Sequence, residues 1–276
     1  MNDISYEPFD QVHAWRSGSN LLGSPQIYVY CYLIDGILID TAHPRIRKEL
    51  LGALKDYTID QILLTHHHED HSGNVEAIME LKNIKSYGSK LCCELMKKPA
   101  KVEPARWLTW GQHTAADVIP IEHPMIESEH YTFDIIDTPG HAPDQISLYV
   151  ASEGWLFSGD IYLNDYIKMY MRDEVIGDQI LSLRKLLTLE VQKMFCCHQP
   201  IMINPSQRLR NKLQYLEDFY GNIIRLYQQG MSANQIMKAL GYRDQLGLKI
   251  MSLGQLSLTN MVKSAIDTFE RKILED

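Results

Sequence analysis

The run THHHEDHSGN, from Thr65 to Asn74, gathers side chains that could do chemistry. Three imidazoles stand in a row at His66, His67 and His68, two acids follow at Glu69 and Asp70, and a fourth imidazole closes the run at His71. Neutral imidazole and carboxylate are donors that a borderline divalent ion such as zinc accepts. In extended backbone, residues two apart point the same way. His66 and His68 can therefore share one ion, which leaves Asp70 and His71 to face a second. A surface tract of histidines with adventitious metal affinity is the plainer alternative, and it weakens if further ligands are found downstream.

They are found. In IIDTPGHAPDQ, His141 follows a strand-like segment (Tyr131 to Asp137) and a Pro-Gly turn; in WLFSGD, Asp160 ends another strand; in MFCCHQP, His198 follows a third apolar burst. Alone, each has an ordinary explanation: a surface histidine, a turn-forming aspartate, a satisfied core imidazole. Together they follow separate predicted strands, so they can converge on one sheet edge, where open α/β sheets tend to place their ligands.

The elements that must present these residues are legible in outline. Asp60 to Leu64 (DQILL) is apolar and β-prone, whereas Gly73 to Lys82 carries Val75, Ile78, Met79 and Leu81 in a helical rhythm. The histidine cluster thus lies on a loop leaving a strand and entering a helix. Residues 26 to 41 read as a hairpin about an Asp35-Gly36 turn, the second run ending in Asp40. Residues 146 to 160 repeat the plan about Glu153-Gly154 and end in Asp160. This faint duplication is consistent with a four-layer α/β/β/α sandwich with the site along its seam. Helices are expected at 44–57, Ser89–Lys98 and Asp178–Leu189, with a short strand at Ile84–Tyr87. Residues 99–130 keep no clean period and hold Trp107, Trp110 and His113, which suits either a lid or pocket wall above the sheet or tryptophans that pack a loop down. Behind Asp160, Tyr162, Tyr166 and Tyr170 recur at helix spacing; such a stripe is usually core, but its place brings at least one phenol toward the ions.

Beyond Pro205 the character changes. The sequence divides into a catalytic domain over 1–205 and a small helical extension over 206–276, with a long helix at 206–229, a capping box at Ser232–Gln235 and a last helix at Ser257–Ile273. Arg208, Arg210 and Lys212 are expected on a solvated face. Charges in the extension are mixed rather than basic, so walling a pocket or making a homodimer suits it better than reading DNA. The whole chain has 276 residues, 45% of them hydrophobic and 22% charged, with a formal net charge of −8. That balance speaks against nucleic acid as a partner, and no apolar run approaches membrane-spanning length. The N-terminal run lacks the basic start and apolar stretch of a signal peptide, and five cysteines do not suggest a disulfide framework, so a cytoplasmic protein is expected.

The order HxHxDH, then His, Asp and His, resembles the metallo-β-lactamase superfamily, most of all its binuclear hydrolases: glyoxalase II (hydroxyacylglutathione hydrolase) and the metal-dependent lactonases. The likeness covers roughly residues 20 to 205. It implies the same sandwich, two divalent ions (zinc first, iron or manganese as alternatives), and a water shared by the ions that attacks as hydroxide. It places His66, His68 and His141 on one ion, Asp70, His71 and His198 on the other, and Asp160 between them, with Asp40 near the ions without touching them. The departure is Cys197, where the family usually has glycine before the last histidine. The expected function is hydrolysis of an ester, thioester or lactone of a small molecule. Asp70 would double as a proton shuttle, and Tyr162 and Tyr166 are candidates to polarise the substrate, as a tyrosine does in lactonase-like relatives. A mononuclear iron persulfide dioxygenase uses the same scaffold and is the first alternative; an RNase Z-like nuclease is a weaker one.

Overall fold

The computed structural model describes residues 3–19 and 27–275; residue 26 of the expected hairpin lies outside them. The first sheet opens with β1 (Asp3–Tyr6), β2 (His13–Ser19), β3 (Ile27–Ile34) and β4 (Ile37–Ile39), an antiparallel meander. The turn between β3 and β4 is Asp35-Gly36, both at positive φ, the conformation that tight hairpins require. A short 3-10 turn then leads into α1 (Arg47–Leu54), followed by β5 (Gln61–Leu63), α2 (Glu69–Ser72), α3 (Val75–Lys82), β6 (Lys85–Gly88), α4 (Lys90–Lys97), α5 (Pro104–Thr109) and β7 (Val118–Pro120). From β4 to β7 the pairing is parallel, completing seven strands in the order β1-β2-β3-β4-β5-β6-β7.

The second sheet runs β12-β11-β10-β9-β8, formed by β8 (Met125–Glu127), β9 (Thr132–Asp137), β10 (Ile146–Val150), β11 (Trp155–Gly159) and β12 (Lys193–Cys196). Between β11 and β12 comes α6 (Ile176–Leu186); after β12 come α7 (Pro205–Tyr227), α8 (Ala233–Ala239), α9 (Leu246–Met251) and α10 (Leu258–Glu270).

Side chains alternate across each strand with the period of two that a pleated sheet imposes. On β3, Tyr30, Tyr32 and Ile34 face the apolar layer between the sheets, where Phe133, Leu148, Phe157 and Phe195 meet them. Val29, Cys31 and Leu33 face the other way, onto Leu50, Leu54, Val75, Ile78 and Met96 of α1, α3 and α4. On the second sheet, Tyr149, Leu156 and Met194 turn outward into a third apolar cluster with α6, α7, α8 and α10. These three clusters are the contacts between the four layers of an α/β/β/α sandwich.

Three expectations need correction. The segment 99–130 is not one excursion: α5 stands over the site, while β7 and β8 close the two sheets. The tyrosine stripe is not helical, since residues 161–175 run as bends and irregular chain, with Tyr170 bridged to Ser257. Lys212 is not on a solvated face. It lies on the buried side of α7 with Leu209, Leu216 and Phe219, and its ammonium donates to the Ile161 carbonyl at 2.5 Å. Arg208 reaches Asp165 at 3.0 Å.

Candidate metal centre

The edge at which β4, β5, β11 and β12 end collects the site. His66 and His68 leave β5 in extended backbone, and α2 turns Asp70 and His71 inward behind them. The Thr65 amide and hydroxyl both donate to Asp40, at 2.8 Å each, which ties the end of β5 to the end of β4. Gly159 (φ +51°) precedes Asp160, and a Cβ there would stand 3.1 Å from that of Thr65. Glycine therefore lets the two sheets close at the seam that brings Asp160 to the histidines. Gly140, at φ +132°, presents His141 from the β9–β10 loop; a Cβ there would strike the Gln179 backbone nitrogen at 2.5 Å.

Two donor groups result. His66 Nε2, His68 Nδ1 and His141 Nε2 converge, with His68 Nδ1 3.0 Å from His66 and 3.1 Å from His141. Asp70, His71, Asp160 and His198 form the other group, all their donor atoms within 4.8 Å of one another. Asp160 Oδ2 joins the two: it lies 3.5 Å from His141 Nε2, 3.4 Å from His71 Nε2 and 3.3 Å from His198 Nε2. Donors bound to one tetrahedral cation at about 2.0–2.1 Å stand roughly 3.3 Å apart, so these spacings are those of a coordination shell.

The outer partners fix which nitrogen carries the proton. His71 Nδ1 faces Asp40 Oδ2 at 2.9 Å, and His198 Nδ1 faces the Tyr28 carbonyl at 2.6 Å. The Thr65 hydroxyl already donates to Asp40, so it accepts from His66 Nδ1 at 3.1 Å. Glu174 Oε2 lies 3.4 Å from His141 Nδ1. For His66, His71 and His198 the proton sits outside and the Nε2 lone pair points in, as metal-binding imidazoles are prepared, whereas His141 Nδ1 stands near Glu174 without a hydrogen bond. One His68 proton cannot satisfy the lone pairs meeting around it. Among the described residues, His71 Nε2 and Asp160 Oδ1 are buried without a hydrogen-bond partner. A cation would answer the His71 nitrogen, so this donor set fits a metal.

Residues 25–198, more than half of the 276, match the metallo-beta-lactamase superfamily. The chain belongs to that superfamily. A beta-lactamase-like protein 2 homolog of Drosophila melanogaster is 28% identical over 214 residues, 72% of this chain and 66% of that protein. A hydroxyacylglutathione hydrolase of Aeromonas hydrophila is 34% identical over 113 residues, 41% of this chain and 36% of that protein. The chain thus spans about two thirds of the first relative's length and about a third of the second's. A metallo-beta-lactamase family protein from Thermus thermophilus shares the fold, with a TM-score of 0.68 over 96% of this chain and 94% of that one, at 18% identity.

Electrostatics bear on this superfamily site in two ways. Burial, with His71 charge beside His66 and Arg106 beside His68, pushes both imidazoles well below their ordinary range, so they stay neutral. For His71, His141 and His198 burial pushes the same way, but carboxylates overcome it: Asp160 for His71 and His198, Glu174 for His141. Burial would raise the Asp160 carboxyl, yet His198 and His71 hold it well below the usual range. The site draws positive charge, whether as protons or as metal.

The sequence singled out seven ligand candidates, and the fold brings all seven together. Asp40 lies just behind them, as expected, and Cys197 takes up the space beside it, donating its thiol to Asp40 Oδ2 at 3.1 Å. The two tyrosines do not join them. Tyr162 is fully buried in the outer cluster with its hydroxyl on Asp165 at 2.6 Å, and Tyr166 is 65% exposed. Their position after Asp160 does not carry them to the ligands because the chain turns there toward α7 instead of continuing as a helix. Sequence reasoning missed Glu174, and also the Glu69–Arg106 pair at 2.6 and 2.8 Å, which clamps α5 over α2. Glu174 had no motif to mark it. Glu69 did lie inside the histidine run, but its partner is 37 residues away. No helix among the described residues is long and apolar enough to cross a membrane.

Proposed function

We propose that the chain is a hydrolase that takes two divalent cations, zinc first and iron or manganese as alternatives, and cuts an ester, thioester or lactone of a small molecule. The observation that supports this most directly is the single Asp160 oxygen set 3.3–3.5 Å from nitrogens of both donor groups. In this reading His66, His68 and His141 would hold one ion and Asp70, His71 and His198 the other, with Asp160 available to both. When bound, such ions supply water whose pKa falls from about 15.7 toward about 7, and positive charge for the oxyanion that develops on the substrate.

The chain's own residues do the rest. Asp40 and the Tyr28 carbonyl keep the outer protons of His71 and His198, so those rings hold one orientation. Arg106 engages both Glu69 oxygens and keeps that carboxylate from competing with Asp70. Asp70, whose Oδ2 lies 3.6 Å from His198 Nε2, would pass a proton toward the leaving group. Water oxygen bonds to the acyl carbon, the bond to the leaving oxygen or sulfur breaks, and the proton given up by water ends on that leaving atom.

The test is a metal count on the purified protein coupled to a panel of thioester, lactone and phosphodiester substrates. Two ions per chain with ester, thioester or lactone cleavage is the expected result. One iron per chain with oxygen uptake would overturn it in favour of a persulfide dioxygenase, and cleavage of phosphodiesters alone would favour a nuclease.

A further inference from the structure

The donor groups are closed on most sides. His66 and His71 have no exposed surface, and His68, Asp70, His141 and Asp160 are buried, whereas the His198 side chain keeps 17% of its exposure. His198 is also the one donor that lines a groove of about 730 Å³, a size that holds a compact organic ligand. Phe9, Tyr28, Tyr30 and Leu163 supply its apolar walls, and the amides of Asn164 and Gln199 stand at its rim.

Charge decides what this groove suits. The acid that lines it, Glu7, accepts from Arg16 Nε at 3.0 Å and from the Tyr30 hydroxyl at 3.0 Å. The Arg16 guanidinium also lies 4.4 Å over the Tyr28 ring, so its charge is spent on residues of the groove itself. Among the described residues lining the groove there is no lysine or arginine. A carboxylate entering it would lose water and find the nearest cation, Arg16, already engaged by Glu7, so the transfer is costly. An aromatic or aliphatic arm would gain the burial, and the two amides can bond an ester or amide along it.

We propose that this groove is the substrate's seat and that it selects uncharged, apolar-armed esters or thioesters over anionic ones such as glutathione thioesters. The inference rests on the hydrolase reading and narrows it to a substrate class.

Three thioesters test it on the full-length, metal-loaded protein: S-acetyl-N-acetylcysteamine, S-phenylacetyl-N-acetylcysteamine and S-acetylglutathione. The phenylacetyl compound should show a kcat/KM at least tenfold above that of S-acetylglutathione, the difference lying mainly in KM. Leu163→Arg should narrow that gap at least fivefold, by easing the glutathione thioester and hindering the phenylacetyl one. Asn164→Arg, at an exposed position, repeats the switch without disturbing packing. Equal or better use of S-acetylglutathione, or a ratio that neither arginine moves, would overturn the proposal. Failure to cleave any of the three, the small acetyl thioester included, would instead overturn the hydrolase reading beneath it.

Discussion

The ammonium of Lys212 lies 2.5 Å from the carbonyl oxygen of Ile161, so a fully buried cation on α7 grips the backbone one residue past Asp160. Burial pushes this lysine down from its usual 10.5 to about 8. Between those values the unfolded lysine holds a proton that the folded one has released. Stability therefore rises with pH from about 8 to 10.5, by about 3 kcal/mol at most. Lys212→Met should remove that rise. Urea unfolding of both proteins at pH 8 and pH 10 checks it, and a variant that keeps the slope would assign it to another group.

Acid should weaken the fold through His43 and His113. Burial pushes each imidazole from 6.5 down to about 4. Both His43 ring nitrogens lack a hydrogen-bond partner, and the ring packs 5.1 Å from Trp110; His113 Nδ1 faces the Ser72 hydroxyl at 2.7 Å. As pH falls from about 6.5 toward 4, unfolded imidazoles take up protons that folded ones refuse, so stability is lost across that window, up to about 3 kcal/mol per group. His43→Leu should flatten part of the decline in denaturant midpoints between pH 7 and pH 4.5.

The Glu69–Arg106 pair should show the asymmetry of a buried ion pair. Arg106→Met leaves Glu69 with an unanswered charge and should cost about 3–5 kcal/mol, whereas Glu69→Gln together with Arg106→Met should recover much of it. A double-mutant cycle from chemical denaturation measures the coupling. Additive losses would mean that the clamp over α2 carries little energy.

At the centre, Asp160→Asn and His68→Ala are each expected to abolish hydrolysis while leaving the circular dichroism spectrum intact. Asp40→Asn acts one layer out, on the His71 proton, and should weaken metal retention by about 10- to 100-fold. Competition with a chromogenic chelator reads that loss without reference to activity. Undiminished retention would mean that His71 is oriented by something other than Asp40.

The ligands were legible because they obey short-range rules. HxHxDH packs four of them into six residues, and each later one follows a strand whose β-rich run can be read directly. What escaped depended on distant partners. Tyr162, Tyr166 and Tyr170 have helical spacing, yet their segment is held by side chains of α7: Tyr215 on the Ile167 carbonyl, Asn211 and Arg208 on Asp165, and Lys212 on the Ile161 carbonyl. Those bonds replace a helix's own ladder, and local propensity cannot announce them. Lys212 itself could have been found, since 209, 212, 216, 219 and 223 trace one face of α7 and only the lysine is polar. Glu174 reaches His141 from a turn whose carbonyl is pinned by Ser264 of α10, a relationship with no sequence signature.

The apolar cluster that starts at Tyr149, Leu156 and Met194 on the second sheet continues through Ile180 and Leu183 of α6 into Leu209, Leu216, Val262 and Ala265. Cutting the gene after codon 205 would therefore not yield a self-sufficient fold. It would strip one flank of the sandwich to wet grease, free the backbone behind Asp160, and send the remnant into inclusion bodies.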